Sequence, residues 1–135
     1  MIFLDTSGLV ALFDQRDSLH YDARAIWAAI LLNAEPLVLS DLVVAETVTL
    51  LRRRAGFIPA ERVLGRLLSG DVAEIVYGDS DLFDSASDLF ARYRDKDLSL
   101  VDCVSFALMR KRRIRRAFSF DRDFRDVGFE CVTTG

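Results

Sequence analysis

Five short apolar runs alternate with longer helical segments along the whole chain. The runs cover residues 1–4, 37–39, 72–77, 117–120 and 129–132. Short strands that alternate with helices are typical of a largely parallel sheet with helices on both faces. The pattern therefore predicts an α/β fold built around a central, mainly parallel five-stranded sheet.

Helices are predicted between these runs from the spacing of apolar residues. The predicted segments are 7–13, 18–33, 41–54, 59–69, 80–94 and 99–113. Ser40 or Asp41 can cap the third segment and Gly56 can end it, while Pro59 suits the first turn of the fourth.

The composition is that of an ordinary globular domain, with 51% hydrophobic and 29% charged residues in a chain of 135. This balance excludes disordered, collagen-like and low-complexity chains. The length suits one hydrophobic core, and no repeat or linker divides the chain, so residues 1–135 are expected to form a single domain.

The cysteines and the amino terminus indicate where such a chain works. Cys103 and Cys131 lie among apolar residues, which is typical of buried thiols in a reducing compartment. No basic residue precedes Arg16, so no secretory signal is expected and Met1 is interpreted as the start of a cytosolic domain. The longest uncharged stretch, 25–34, is well short of a membrane span. A cytoplasmic location without a membrane partner is predicted.

Two acids directly follow apolar runs: Asp5 follows the first run and Asp121 follows the fourth. Ligands of open parallel sheets bind beyond the carboxyl ends of the strands, so both positions suit a functional site. Acids at such positions also cap helices, and for either residue alone capping is the favoured interpretation.

Two further acids lie within apolar helical sequence. Glu46 shares a helix face with Val43 and Leu50, so it is expected to point inward, towards either a metal ion or an arginine. Asp102 lies three residues after Ser99, a spacing that fits a capping box. Considered singly, Asp102 is best explained as part of a cap.

Taken together, the four acids favour a metal site, because strand ends and first helical turns can converge on one crevice. Converging carboxylates repel one another unless a cation holds them, and an all-oxygen site suits Mg²⁺ or Mn²⁺. The chemistry expected of such a site is metal-assisted phosphoryl transfer or hydrolysis. The predicted ligands are Asp5, Glu46, Asp102 and Asp121.

Other kinds of site lack the residues they need. His20 is the only histidine and is expected on a helix surface, which leaves no histidine-rich zinc site. The glycine-rich loops that bind dinucleotides and nucleoside triphosphates do not occur. A phospho-accepting receiver domain needs a lysine after a late strand, and neither Lys96 nor Lys111 follows one.

The formal net charge of −3 argues at first against a partner as acidic as nucleic acid. However, basic residues fill six of the seven positions 110–116 and all of 52–54. Cations at helix ends account for some of them through the helix dipole. The density of the first cluster adds the hypothesis that Arg110, Arg112 and Arg113 contact an RNA backbone or an acidic protein.

With these residues identified, the chain resembles the PIN-domain family, and within it the VapC-type ribonuclease toxins of toxin–antitoxin pairs. The resemblance spans essentially the whole chain. The segments that carry it are 3–7 (FLDTS), 44–46 (VAE), 98–102 (LSLVD), 105–107 (SFA), 118–124 (FSFDRDF) and 128–129 (GF).

The resemblance implies a three-layer α/β/α sandwich with a Mg²⁺ or Mn²⁺ site at the carboxyl edge of its sheet. The family's four acids match Asp5, Glu46, Asp102 and Asp121, and its supporting hydroxyl residues match Thr6, Ser7 and Ser119. Asp123 is a second acid in the last motif, but Asp121 is nearer the strand end and is expected to be the closer ligand.

The resemblance also implies endonucleolytic cleavage of RNA by metal-activated water, which leaves a 5′-phosphate. Homodimers are common in the family, as is a cognate antitoxin protein that inserts a segment near the acidic site. Two other functions stay open: a housekeeping PIN nuclease in RNA processing, and a non-catalytic PIN-like module that binds RNA or protein.

Overall fold

The computed structural model describes residues 1–134, and its strands and helices alternate as predicted. In chain order the elements are β1 (Ile2–Leu4), α1 (Thr6–Phe13), α2 (His20–Asn33), β2 (Leu37–Ser40), α3 (Asp41–Ala55), α4 (Phe57–Leu68), β3 (Glu74–Val76), α5 (Ser80–Arg92), α6 (Leu100–Lys111), β4 (Arg116–Phe118), α7 (Asp123–Asp126) and β5 (Glu130–Cys131). The strands form one five-stranded sheet in which every neighbouring pair is parallel. The predicted α/β fold is confirmed.

The order of the strands places a switch in direction at the centre of the sheet. The order is β3-β2-β1-β4-β5, so the chain moves outward from β1 on one side and returns to β4 on the other. Leu4 pairs with Phe118 at the carboxyl ends of these two strands. The segments that leave β1 and β4 diverge here, and such a switch point opens a crevice for a ligand.

The hydrophobic core surrounds this central pair of strands. All three residues of β1 are buried, as expected for a strand covered by helices on both faces. Phe124 of α7 is fully buried and packs its ring against those of Phe3, Phe106 and Phe129. The short helix after β4 is therefore fixed to the core through one aromatic side chain.

Two features differ from the sequence-based expectations. The helix α7 was not predicted, because four residues are too few to show helical periodicity. The surface position expected for His20 is wrong: the residue is 8% exposed and its Nδ1 lies 2.9 Å from the carbonyl oxygen of Ala11. Cys103 is buried as predicted, Cys131 is half-buried, and both are free thiols.

None of the helices within residues 1–134 combines the length and the hydropathy needed to span a bilayer.

Gly8 lets α1 pack directly against β4. A Cβ here would overlap the backbone carbonyl oxygen of Phe118 and lie 2.8 Å from its ring carbon Cδ2. Because Phe118 belongs to a buried strand, it cannot move aside freely. We expect Gly8→Ala to lower the free energy of unfolding by about 2–3 kcal/mol in chemical denaturation.

The matched control is Gly65→Ala in α4, where a Cβ would meet no atom within 4 Å. Alanine favours the helix there, so the control is expected to be neutral or stabilising by up to about 1 kcal/mol. A Gly8→Ala protein as stable as the wild type would show that α1 does not need this close approach.

Candidate active site

A pocket of about 290 Å³ opens at the carboxyl ends of the central strands and brings the four predicted acids together. Asp5 leaves β1, Asp121 follows β4, Asp102 lies in the first turn of α6, and Glu46 reaches in from α3. The remaining lining residues are Thr6, Ser7, Val10, Asp17, Leu19, Leu50, Arg54 and Phe120.

Asp5 is held by donors that all bind one of its carboxylate oxygens. The Ser7 hydroxyl donates to Oδ2 at 2.7 Å, the Ser119 hydroxyl at 2.8 Å, and the Ser7 backbone N–H at 3.3 Å. Within residues 1–134, no donor binds Oδ1. Asp5 therefore caps α1, as the capping interpretation expected, and also keeps one oxygen available to a ligand in the pocket.

The two serines also tie the loops after β1 and β4 to each other. The backbone N–H of Phe120 donates to the Ser7 hydroxyl at 2.9 Å, and that of Asp121 donates to the Ser119 hydroxyl at 3.0 Å. Through these bonds the hydroxyls orient both Asp5 and the segment that carries Asp121. The third predicted hydroxyl, Thr6 Oγ1, is buried and makes no hydrogen bond within the described part of the chain.

Within residues 1–134, Asp102 and Asp121 of the pocket form a tight group of carboxylates with Asp123, which does not line the pocket, and Asp5 does not belong to this group. One oxygen from each lies within 4.8 Å of the other two. Ligands at about 2.0–2.6 Å from one ion fall within such a separation, and oxygen ligands are those that Mg²⁺ and Mn²⁺ prefer. The donor set therefore fits a hard divalent cation.

Hydrogen bonds hold two members of this group in place. Asp102 forms the predicted capping box: its Oδ2 accepts the Ser99 backbone N–H at 3.0 Å, and the Ser99 hydroxyl accepts the Asp102 N–H at 3.1 Å. Asp121 Oδ1 accepts the backbone N–H of Asp123 at 2.9 Å. The Asp102 side chain therefore both caps α6 and lines the candidate site.

Burial and neighbouring charges disfavour ionisation of Asp5 and Asp102 in the pocket and of Asp123, which lies outside its lining. Burial raises the pKa of Asp5, which is only 5% exposed, above its ordinary value despite its hydrogen bonds. Burial also raises the pKa of Asp102 to about 6, and the charges of Asp5 and Asp121 contribute to the rise. Burial and the charge of Asp121 raise the pKa of Asp123. A bound cation would reverse these effects, because it favours the ionised carboxylates.

Glu46 lines the same pocket but lies outside the tight carboxylate group. It is half-buried, and within residues 1–134 it forms no ion pair with an arginine. The arginine-paired interpretation of this residue is therefore not observed. Its orientation into the pocket agrees with the helix face predicted from its spacing.

Two charged residues of the pocket were not predicted as site residues: Arg54, which the sequence analysis places only in the basic run 52–54, and Asp17. Arg54 NH1 donates to Asp17 Oδ2 at 3.3 Å, and both residues line the pocket. The signal for Arg54 was present, since Glu46, Leu50 and Arg54 follow one another at intervals of four on α3. Asp17 lies in the loop between α1 and α2, where no periodic pattern could reveal it.

The arginines proposed to contact RNA lie at the far end of α6. Asp102 is at the start of this helix, and the nine residues to Lys111 carry the chain roughly 14 Å along its axis. Arg112 makes two hydrogen bonds to the Glu74 carboxylate, at 2.7 and 2.9 Å, and Arg110 donates to the Tyr93 hydroxyl. Arg113 is exposed beside them. None of the three lines the acidic pocket.

Comparisons with known proteins agree with the fold. The PIN domain model matches residues 2–130. The 23S rRNA-specific endonuclease VapC20 of Mycobacterium tuberculosis is 38% identical over 130 residues, which cover 96% of this chain and 95% of that protein. Ribonuclease VapC26 of the same organism is 30% identical over 121 residues, covering 90% and 87% of the two chains.

Comparison with solved structures also shows similarity to VapC20. The crystal structure of M. tuberculosis VapC20, described as a Sarcin-Ricin loop cleaving toxin, superimposes with a TM-score of 0.88 at 36% identity and covers 96% of both chains. The three-layer sandwich implied by the resemblance is thus confirmed. The chain belongs to the PIN-domain family and, within it, groups with the VapC-type toxin ribonucleases.

Proposed function

We propose that this chain is a Mg²⁺- or Mn²⁺-dependent endoribonuclease that hydrolyses RNA phosphodiester bonds as the toxin of a toxin–antitoxin pair. The observation that carries the proposal is the group of three carboxylates whose oxygens lie within 4.8 Å of one another. Asp5 lines the pocket with Asp102 and Asp121, and its Oδ1 accepts no hydrogen bond from residues 1–134. In this proposal residues 1–135 act as a single cytoplasmic nuclease domain.

The residues of the pocket have distinct proposed roles. Asp102, Asp121 and Asp123 would bind the ion together with Asp5, and Glu46 would act from the α3 side of the pocket. Ser7 and Ser119 position Asp5 through hydrogen bonds to its other oxygen. When bound there, the ion would polarise the phosphodiester and lower the pKa of a water molecule. The raised pKa values of Asp5 and Asp102 support this assignment, because a cation bound beside such carboxylates would favour their ionised forms.

The substrate proposed for the site is a structured segment of 23S rRNA. Support comes from VapC20, whose name states that specificity and which shares 38% identity with nearly the whole of this chain. A toxin role also implies a cognate antitoxin protein as partner, and we propose a homodimer as its working form. A housekeeping PIN nuclease would share the chemistry but not the antitoxin.

Chelation is the experiment that tests this function. We expect the protein to cleave a 23S rRNA fragment in Mg²⁺ or Mn²⁺ and to leave a 5′-phosphate at the cut. Excess chelator is expected to slow cleavage by at least about 100-fold, and added Mn²⁺ is expected to restore it.

A non-catalytic binding module would give a different result. Such a module would bind the RNA fragment without cutting it in any divalent metal, and Asp5→Asn would leave its binding unchanged. Cleavage at an undiminished rate in chelator would contradict the metal-dependent mechanism itself.

A further inference from the structure

A line of arginines leads from the acidic pocket into a neighbouring groove. Its members, called here the arginine track, are Arg54, Arg16, Arg62 and Arg66. Arg54 lines the pocket, and its backbone carbonyl oxygen accepts a hydrogen bond from the guanidinium group of Arg16. Arg16 in turn lines a groove of about 580 Å³ between the end of α1 and α4, which Arg62 and Arg66 also line. The track is therefore continuous from pocket to groove.

Three arginines and one acid line the groove, and Arg62 and Arg66 share a second groove with Asp71. Arg16, Arg62 and Arg66 are exposed, and none of them takes part in an ion pair within residues 1–134. The one acid that lines the groove, Asp14, is 5% exposed, and its Oδ1 accepts the backbone N–H of Arg16 at 3.0 Å. The groove thus presents guanidinium groups to an anionic ligand from outside.

The basic cluster at 110–116 has part of its charge paired with acids, while Arg113 and Arg115 are exposed and form no ion pair within residues 1–134. Arg112 is paired with Glu74 at 2.7 Å and Arg116 with Glu35 at 3.0 Å. Arg110 and Lys111 line a groove whose other charged residues are acids, Asp81 and Asp88. What distinguishes the arginine track from this cluster is therefore its position beside the acidic pocket, and not a larger number of unpaired cations.

The arrangement of the track suits phosphate groups in a row. Arg62 and Arg66 are four residues apart on α4, so their Cβ atoms lie about 6 Å apart on one face of the helix. Guanidinium groups bind phosphate oxygens through two parallel hydrogen bonds. A chain of such groups that starts at the reaction site fits an RNA backbone better than it fits a single small anion.

We infer that the RNA backbone leaves the acidic pocket along the arginine track, which binds phosphates on one side of the cleaved bond. The inference rests on the proposed function, since it assigns a path to the substrate of the same site. Arg54 would exchange its contact with Asp17 for a phosphate, and the groove would bind the phosphates that follow.

Binding of a fluorescently labelled 23S rRNA fragment, measured by anisotropy in chelator, tests the track independently of cleavage. Arg62→Gln/Arg66→Gln is expected to weaken binding about tenfold and to reduce the slope of log affinity against log salt by about 2. The matched control is Arg24→Gln/Arg92→Gln, which removes the same charge from exposed positions on α2 and α5. It is expected to change affinity less than about twofold.

A second double variant, Arg110→Gln/Arg113→Gln, tests the other basic cluster. Weaker binding there, with an unchanged affinity and salt slope for Arg62→Gln/Arg66→Gln, would overturn the inference. So would a track variant that binds RNA normally and loses only its antitoxin. If the wild-type protein binds RNA through the arginine track but does not cleave it, the proposed nuclease function is refuted, while the inference that the track binds RNA is still supported.

Discussion

Asp5→Asn is expected to slow RNA cleavage by roughly 100- to 1000-fold while leaving the fold intact. Asparagine has nearly the same shape, and its side-chain oxygen can still accept the hydrogen bonds of the Ser7 and Ser119 hydroxyls. What the variant loses is the negative charge and the second carboxylate oxygen, which accepts no hydrogen bond from the part of the chain that the structure describes. The effect therefore falls on the site and not on the cap of α1.

Single-turnover cleavage in excess Mg²⁺, with circular dichroism to verify the fold, measures this effect. Asp84→Asn on the exposed side of α5 is the matched control, because it makes the same chemical change outside the pocket. It is expected to cleave at the wild-type rate. Wild-type cleavage by Asp5→Asn would mean that the carboxylate does not take part in the reaction.

Asp102→Asn is expected to slow cleavage about as much as Asp5→Asn does. It is also expected to stabilise the folded protein near neutral pH when no metal ion is bound. The folded-state pKa of Asp102 is raised to about 6, so its ionised form is disfavoured in the folded chain. Below the ordinary carboxyl pKa, Asp102 is protonated in both the folded and the unfolded chain, so it does not change the free energy of unfolding. As the pH rises from there through about 6, the carboxyl group ionises more readily in the unfolded chain, and the free energy of unfolding falls. Asparagine removes that cost and can still accept the Ser99 N–H in the capping box.

In chelator near pH 7.5, the free energy of unfolding of Asp102→Asn is expected to exceed that of the wild type by about 1–2 kcal/mol. This is less than the full shift in the pKa of Asp102 implies, because solvent partly screens the side chain. Thermal unfolding of both proteins at about pH 5 and about pH 7.5 measures it. The wild type is expected to lose more stability over this range than the variant and to recover it in excess Mg²⁺. A variant less stable than the wild type in chelator at the higher pH would contradict the electrostatic assignment.

Most of the site could be predicted from the sequence because its parts depend on local patterns. Asp5 and Asp121 follow apolar runs, and in a parallel sheet the carboxyl ends of neighbouring strands share one edge. The helix face of Glu46 predicted that it points inward, whereas the spacing of Asp102 from Ser99 predicted only a cap, and Asp102 was assigned to the site as one of the four acids together. These relations need only the element type and its direction, which short apolar runs and helical spacing supply.

The remaining features depend on packing between distant segments. The hydrogen bond of Ser119 to Asp5 joins residues 114 apart in the chain, and that of Arg16 to Arg54 joins residues 38 apart. The neutralisation of Arg112 by Glu74 is equally non-local. The sequence shows how many charges a segment carries, but it does not show which of them are paired or which lie beside the pocket.

Mn²⁺ binding and RNA cleavage measured on the same samples test the central claim most directly. Bound Mn²⁺ is followed by electron paramagnetic resonance as the ion is titrated into metal-free wild type, Asp102→Asn and Asp84→Asn. The carboxylate site predicts that cleavage rises with bound Mn²⁺ in the wild type and in Asp84→Asn, and that Asp102→Asn loses both together. Full cleavage by a protein that binds no Mn²⁺ would contradict it.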